Sequence, residues 1–116
     1  MNKTKQIWRD VTINEGDTPD ITVTGYDANG VIISGANIVS VTMRIDDYFS
    51  ETCVHTSTNL GTSNPITHTL TNSETRIIDQ AREYEYRFAT FDFVYDTDKH
   101  IVEEFVIKVN NPGFYP

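Results

Sequence analysis

Leucine and alanine are scarce in this chain of 116 residues, and cysteine occurs once. Two leucines and four alanines are too few for a helical bundle, because these residues are the strongest helix formers. The single cysteine, Cys53, excludes an intramolecular disulfide. No apolar run approaches the ~20 residues of a membrane-spanning helix, and the first ten residues lack the apolar region of a secretory signal. We therefore expect a protein made in a cytoplasm without an export signal.

Positive charge is also scarce, with 9 basic against 17 acidic side chains and a net charge of −8. A basic stripe that could displace counterions from phosphates is absent from the sequence, which argues against nucleic acid and anionic membranes as partners.

β-Branched residues are abundant instead, with 12 isoleucines, 10 valines and 16 threonines. These side chains fit the pleated surface of a sheet better than a helix surface. Apolar residues recur at every second position, most clearly where Val39, Val41, Met43 and Ile45 alternate with polar neighbours. This alternation is typical of half-buried antiparallel strands. The predicted strands are 7–13, 21–26, 31–33, 39–46, 52–56, 66–70, 84–95 and 100–109.

Turn signals separate these strands. Asp27-Ala28-Asn29-Gly30 predicts a hairpin turn, since Asn-Gly supplies the positive φ that such turns need. The sequence from Thr71 to Glu74 fits a capping box and predicts a short helix over 72–79 that crosses between two sheets. Together these features predict an all-β fold, an immunoglobulin-like β-sandwich of seven or eight short antiparallel strands with one short helical crossing. Strand number alone does not separate a sandwich from a small barrel. We expect a flexible segment over 1–6, the domain over 7–109 and a tail over 110–116.

Histidine and cysteine offer few routes to chemistry. Cys53 and His55 would share one strand face, and His68 would have to join them across the sheet to hold a metal ion. Three unrelated histidines, the third being His100, are the favoured interpretation, because zinc sites need four convergent ligands. Cys53 lacks a suitably placed base, so we expect it to serve as a small apolar residue rather than a nucleophile. The sequence thus predicts no catalytic, cofactor-binding or metal-binding residues.

Acidic residues gather in two ways. Calcium could bind at acidic turns, but Asp and Asn favour turns by bonding their own backbone, and we prefer that explanation. The turn residues are Asp17, Asp20, Asp27, Asn29, Asp46, Asp47, Asp96 and Asp98.

The carboxylates on the predicted strands raise a second possibility, a paired-carboxylate glycosidase. Carboxylates on strands usually form a solvated face, and so we expect a protein that is not an enzyme. The strand carboxylates are Glu83, Glu85, Glu103 and Glu104.

Aromatic residues near the chain ends are the candidates for contact with other proteins, because such side chains are enriched where proteins dock. We predict interface roles for Trp8, Phe114 and Tyr115. For Trp8, a place in the core is an equally good interpretation. The tail residues lie between Pro112 and Pro116, which stiffen the segment and reduce the entropy lost on binding.

Several segments in order resemble the immunoglobulin-like N-terminal domain of phage upper baseplate proteins. They are Glu-Gly-Asp-Thr at 15–18, Asp-Ala-Asn-Gly at 27–30, Ile-Ser-Gly-Ala at 33–36, the strand 39–45, the crossing 71–78 and Glu-Tyr-Glu-Tyr at 83–86. The resemblance covers 7–109. The family has a glycine before its tyrosine strand, where this chain has Arg82 and Glu83.

The resemblance implies a structural component of a tailed bacteriophage virion, in the tail, baseplate or neck. Its partners would be other phage structural proteins in a symmetric, multi-copy assembly, without nucleic acid or membrane. The alternative is a capsid decoration protein, or a module that binds carbohydrate or receptor on the host surface. In that case Tyr26, Tyr48, Phe49 or Trp8 would provide the stacking surface.

Overall fold

The computed structural model describes residues 9–114, apart from the side chains of 56 and 57. The described chain is all-β, with seven strands and one 3₁₀ helix, Gly35–Asn37. The strands are β1 (Val11–Asn14), β2 (Asp20–Val23), β3 (Ile38–Asp47), β4 (Cys53–Gly61), β5 (Ile66–Thr69), β6 (Tyr84–Tyr95) and β7 (Lys99–Asn110). In this range there is no helix with the length and apolar character to span a membrane.

The strands form two sheets. Five of them lie in the order β1-β7-β6-β3-β4, and the other two, β2 and β5, form a separate sheet. All pairs are antiparallel except β1 with β7, where Val11 pairs with Ile107 and Asn14 with Asn110 in parallel. The prediction of a wholly antiparallel fold is therefore wrong at β1. That strand joins the free edge of β7 from the opposite end of the chain, and no hairpin connects the two.

Both sheets contribute to one hydrophobic core. Its members on the large sheet include Val41, Met43, Ile45, Phe91, Phe93, Ile107 and Val109, and those on the small sheet include Ile21, Val23 and Ile66. The predicted alternation holds for most of β3 but fails at Val39, which is 52% exposed. The register of β3 against β6 shifts between Ile38 and Ser40. This bulge reverses the alternation, so Ile38 packs inward instead of Val39.

The predicted helix over 72–79 is wrong, although its capping box forms. Thr71 N–H donates to Glu74 Oε1 (2.8 Å), and Glu74 N–H donates to Thr71 Oγ1 (3.3 Å). The helix does not propagate because carboxylates outside the segment accept from its amides. Ile77 N–H donates to Glu15, and the next two amides donate to Glu85. Residues 72–79 therefore cross from β5 to β6, from one sheet to the other, as a series of turns.

The segment 52–65 also differs from its prediction. Strand β4 continues to Gly61, beyond the predicted end of the strand at residue 56. The predicted strand 31–33 is reduced to a single bridge between Tyr26 and Ile32. The hairpin turn before it is confirmed. Gly30 has a φ of 78°, and its N–H donates to Asp27 O (2.9 Å).

Gly25 closes the end of the small sheet against the core. Asn64 holds it from both sides, accepting from Gly25 N–H (2.9 Å) and donating to Gly25 O (2.9 Å) and Ile33 O (2.7 Å). A Cβ at Gly25 would lie 2.9 Å from the ring of Phe93, which is fully buried. The position thus requires glycine because backbone packs directly on an aromatic ring.

We predict that Gly25→Ala destabilises the protein by about 1–3 kcal/mol, since the added methyl group overpacks a filled core. Gly35→Ala is the matched control, because its Cβ would meet nothing closer than 3.8 Å. Urea denaturation of both variants measures the difference. An unchanged midpoint for Gly25→Ala would contradict this account of the packing.

Candidate functional site

Five aromatic side chains form a continuous cluster on one face of the large sheet. Strand β6 places Tyr84, Tyr86 and Phe88 on its half-exposed side, and the β3–β4 loop brings Tyr48 and Phe49 over them. The loop is fixed by the Tyr48 N–H bond to Tyr86 O (3.0 Å). We call these five residues the aromatic face.

The rings of the aromatic face contact one another mainly edge to face or tilted. Tyr48 lies 5.4 Å from Phe49, 6.5 Å from Tyr86 and 5.3 Å from Phe88, measured between ring centroids. Phe49 and Tyr84 are 6.1 Å apart. Such contacts stabilise aromatic pairs beyond the area they bury. Even so, Tyr48 and Phe49 remain 44% and 41% exposed, so the cluster presents ring surface to solvent.

Two cations sit on this face. The guanidinium carbon of Arg82 lies 4.9 Å from the ring centroid of Phe49, and Nζ of Lys108 lies 4.5 Å from that of Tyr84. Both distances fall in the range of cation–π attraction. The aromatic face therefore combines ring surface with positive charge at one side.

Beneath the aromatic face, on the inner side of the same strands, lies a buried charge network. Arg87 is fully buried and pairs with Asp47 (Nη1 to Oδ1, 2.6 Å) and with Glu85 (Nη2 to Oε1, 2.9 Å). Its guanidinium also donates to the carbonyls of Glu74 (3.3 Å) and Arg76 (2.5 Å). The expectation that the strand carboxylates form a solvated face is wrong for Glu85. Its period-two position points inward, where Arg87 neutralises it.

The network sets the shape of two loops. Glu85 accepts from the amides of Ile78 (2.9 Å) and Asp79 (3.0 Å) in the crossing segment. Asp47 accepts from the amide (2.8 Å) and the hydroxyl (2.7 Å) of Ser50, two residues after Tyr48. The carboxylates that neutralise Arg87 thus also hold the β3–β4 loop that carries part of the aromatic face.

A second buried group joins β4, β5 and the crossing. Nε2 of His68 lies 3.0 Å from Glu74 Oε1, and His55 Nδ1 contacts Oε2 of the same carboxylate. The two imidazole centroids are 5.8 Å apart. Within the described residues Oε2 accepts no hydrogen bond. Burial raises the pKa of Glu74, but the amide of Thr71 and the hydrogen bond and charges of His68 and His55 outweigh it, so the pKa is lowered.

The structure brings His55 and His68 together but separates Cys53 from them. The register of β3 against β4 shifts between Ile45 and Asp46, so His55 lies opposite the buried Ile45 and Cys53 opposite the part-exposed Asp46. The predicted shared strand face is wrong because this bulge turns Cys53 away. In the described part of the chain, no three His, Cys, Asp or Glu side chains are arranged to hold a metal ion.

At two of the acidic turns the carboxylates bond their own backbone. Asp17 accepts from the amide of Asn14 (2.9 Å), and Asp27 accepts from Asn29 (2.9 Å) and Val31 (3.0 Å). These are the local bonds for which Asp is favoured in turns.

Two of the three predicted interface residues, Trp8 and Tyr115, lie outside the described residues. Phe114 is half-buried, and its N–H donates to Asn111 O (3.1 Å). Of the predicted stacking residues, Tyr48 and Phe49 lie side by side, whereas Tyr26 lies at the separate 27–30 turn. The alternation in the sequence places Tyr84, Tyr86 and Phe88 on a common side of β6. It does not indicate that Tyr48 and Phe49 pack against them.

Comparisons of this chain with protein-family models, curated proteins and solved structures found no match.

We predict that Arg87→Met destabilises the protein by about 3–5 kcal/mol, because it removes the buried cation of Asp47 and Glu85 and leaves them only the part-exposed Arg82. Arg82→Met is the control, since Arg82 contacts the same two carboxylates from a part-exposed position; we expect a loss of about 1 kcal/mol. Guanidinium chloride denaturation gives both values. Equal losses would show that Arg87 has no special role.

We predict a distinct pH dependence for Glu74→Gln. A lowered folded-state pKa means that the Glu74 carboxylate adds stability above its unfolded value, near 4.5, and that this stability is lost as pH falls through the folded-state pKa. The variant should therefore be less stable than the parent by about 1–3 kcal/mol at pH 7, with the gap narrowing below pH 4.5. Thermal unfolding between pH 3 and pH 7 measures it. The exposed control Glu104→Gln removes the same charge; a gap for Glu74→Gln that persists unchanged at pH 3 would contradict the assignment.

Proposed function

We propose that this chain is an immunoglobulin-like β-sandwich that serves as a non-catalytic structural component of a tailed bacteriophage virion. For the fold, the support is the strand arrangement: β2 and β5 form one layer, β1-β7-β6-β3-β4 the other, and both contribute to one core. The parallel pairing of β1 with β7 fits the same arrangement.

The aromatic face carries the functional proposal. Clusters of exposed rings beside cations are typical of protein–protein contact surfaces, where Tyr, Trp and Arg dominate the binding energy. Here the rings are held by a buried charge network, so the surface is ordered before binding and loses less entropy when it docks. The partners in this proposal are other phage structural proteins in a multi-copy assembly, formed after synthesis in the host cytoplasm. Net negative charge keeps the free subunits soluble until then.

A second candidate function is supported by the exposure of Tyr48. Its ring lies beside Arg44, Asp46 and Glu51 along the wall of a surface depression. A ring next to such hydrogen-bonding groups is also a suitable platform for a sugar. A host-surface carbohydrate module is therefore the alternative to an assembly component.

The proposal predicts that the chain is present at a fixed copy number in purified virions. Tyr48→Ala combined with Phe49→Ala should lower incorporation at least about tenfold, which is the effect of losing roughly 1.4 kcal/mol of docking energy. The control is Val31→Ala with Ile32→Ala, another adjacent exposed apolar pair. Quantitative mass spectrometry of particles from complemented infections measures both.

Absence of the parent chain from purified particles would overturn the proposal. Specific binding of the free chain to a glycan array, lost in the Tyr48→Ala and Phe49→Ala variant, would establish the carbohydrate function in its place.

Deletion of residues 113–116 tests the predicted tail interface separately. We expect reduced incorporation, and normal incorporation would remove Phe114 and Tyr115 from the interface.

A further inference from the structure

An open depression of about 380 Å³ lies at the edge of the aromatic face, where β3 leads into the β3–β4 loop. It is lined by Arg44, Asp46, Asp47, Tyr48, Glu51 and Phe88. The lining thus includes two aromatic residues, three acidic residues and a single arginine.

Most of the charges around the depression are already paired. Arg44 donates through Nε to both oxygens of Asp46, at 2.9 and 3.2 Å. Asp47 is buried and is paired with Arg87. Glu51 differs, because its carboxylate has no ion pair or hydrogen bond with any residue in the described range. Its backbone has a φ of 56°, a left-handed conformation that is unfavourable for glutamate. The free negative charge of the depression therefore resides on Glu51.

The rings show the same contrast. Phe49 and Tyr84 each have a cation over them, Arg82 and Lys108 respectively. Tyr48 and Phe88 lie 5.3 Å apart at an angle of 49°, and the described part of the chain places no cation over either ring. Two rings of the face thus have a cation of this chain over them. The pair of Tyr48 and Phe88, beside the carboxylate of Glu51, has none among the described residues.

We infer that this depression binds an arginine side chain of a partner protein. The guanidinium would stack on the ring of Tyr48 or Phe88 and pair with the carboxylate of Glu51. Arginine suits this site better than lysine, because its planar group stacks on rings and pairs with a carboxylate in a fork geometry. Charge complementarity favours a basic partner, since this chain carries a net charge of −8. The inference rests on the proposed assembly function and specifies the chemistry of the partner.

The test is an NMR titration of the ¹⁵N-labelled full chain with N-acetyl-arginine-N-methylamide. The uncharged analogue N-acetyl-citrulline-N-methylamide has the same shape and serves as the ligand control. We expect saturable shifts at the amides of Tyr48, Glu51 and Phe88 with the arginine compound only. Glu51→Gln should weaken binding about three- to five-fold, the upper part of the range for an exposed ion pair. Asp98→Asn should leave binding unchanged, because it removes the same charge from the exposed β6–β7 turn.

A ring variant extends the test. Tyr48→Leu retains an apolar side chain but removes the π-face, and binding of the arginine compound should weaken by a similar factor. The inference is overturned if the citrulline compound binds equally well, if Glu51→Gln and Asp98→Asn behave alike, or if glucose, galactose or N-acetylglucosamine shifts these amides while arginine does not. Any of these results with the chain still present in virions rejects the arginine site alone, whereas absence of the chain from virions rejects the assembly function.

Discussion

The burial of Arg87 between the large sheet and the crossing segment 72–79 is the constraint on which the rest of this structure depends. A guanidinium cannot be removed from water without partners, and here Asp47 on β3 and Glu85 on β6 provide the compensating charge. The carbonyls of Glu74 and Arg76 take further N–H groups of the same side chain. One residue thus links two central strands of the large sheet to the segment that crosses from the small one.

The same constraint determines what lies on the surface. Because side chains alternate along a strand, placing Glu85 and Arg87 inside commits Tyr84, Tyr86 and Phe88 to the opposite side. The carboxylates also hold the loops at the ends of the strands, through amides that would otherwise need other partners. We conclude that the buried polar residues orient the aromatic face, and that the core and the aromatic face are two sides of one arrangement.

Much of the fold could be predicted from local patterns, and the errors have physical causes. Alternation located the main strands, and Asn29-Gly30 located its turn. The predicted helix after Thr71 is wrong because its amides bond the carboxylates of Glu15 and Glu85, which lie outside the segment and which its capping-box pattern does not encode. Similarly, alternation could not reveal that Arg87 pairs with a carboxylate 40 residues earlier in the chain. Single-residue bulges escaped prediction for a related reason, since they arise from pairing between strands.

The candidate site was predicted in part. The sequence offered Tyr48 and Phe49 as stacking residues of the alternative, carbohydrate-binding function, but their assembly with three residues of β6 depends on tertiary contacts. The central claim is that this aromatic face is a contact surface within a virion. A cryo-electron microscopy reconstruction of the particle tests it most directly. Our account predicts that a neighbouring subunit covers Tyr48, Phe49 and Phe88. A particle in which this face points into solvent, with the contacts made elsewhere on the chain, would contradict it.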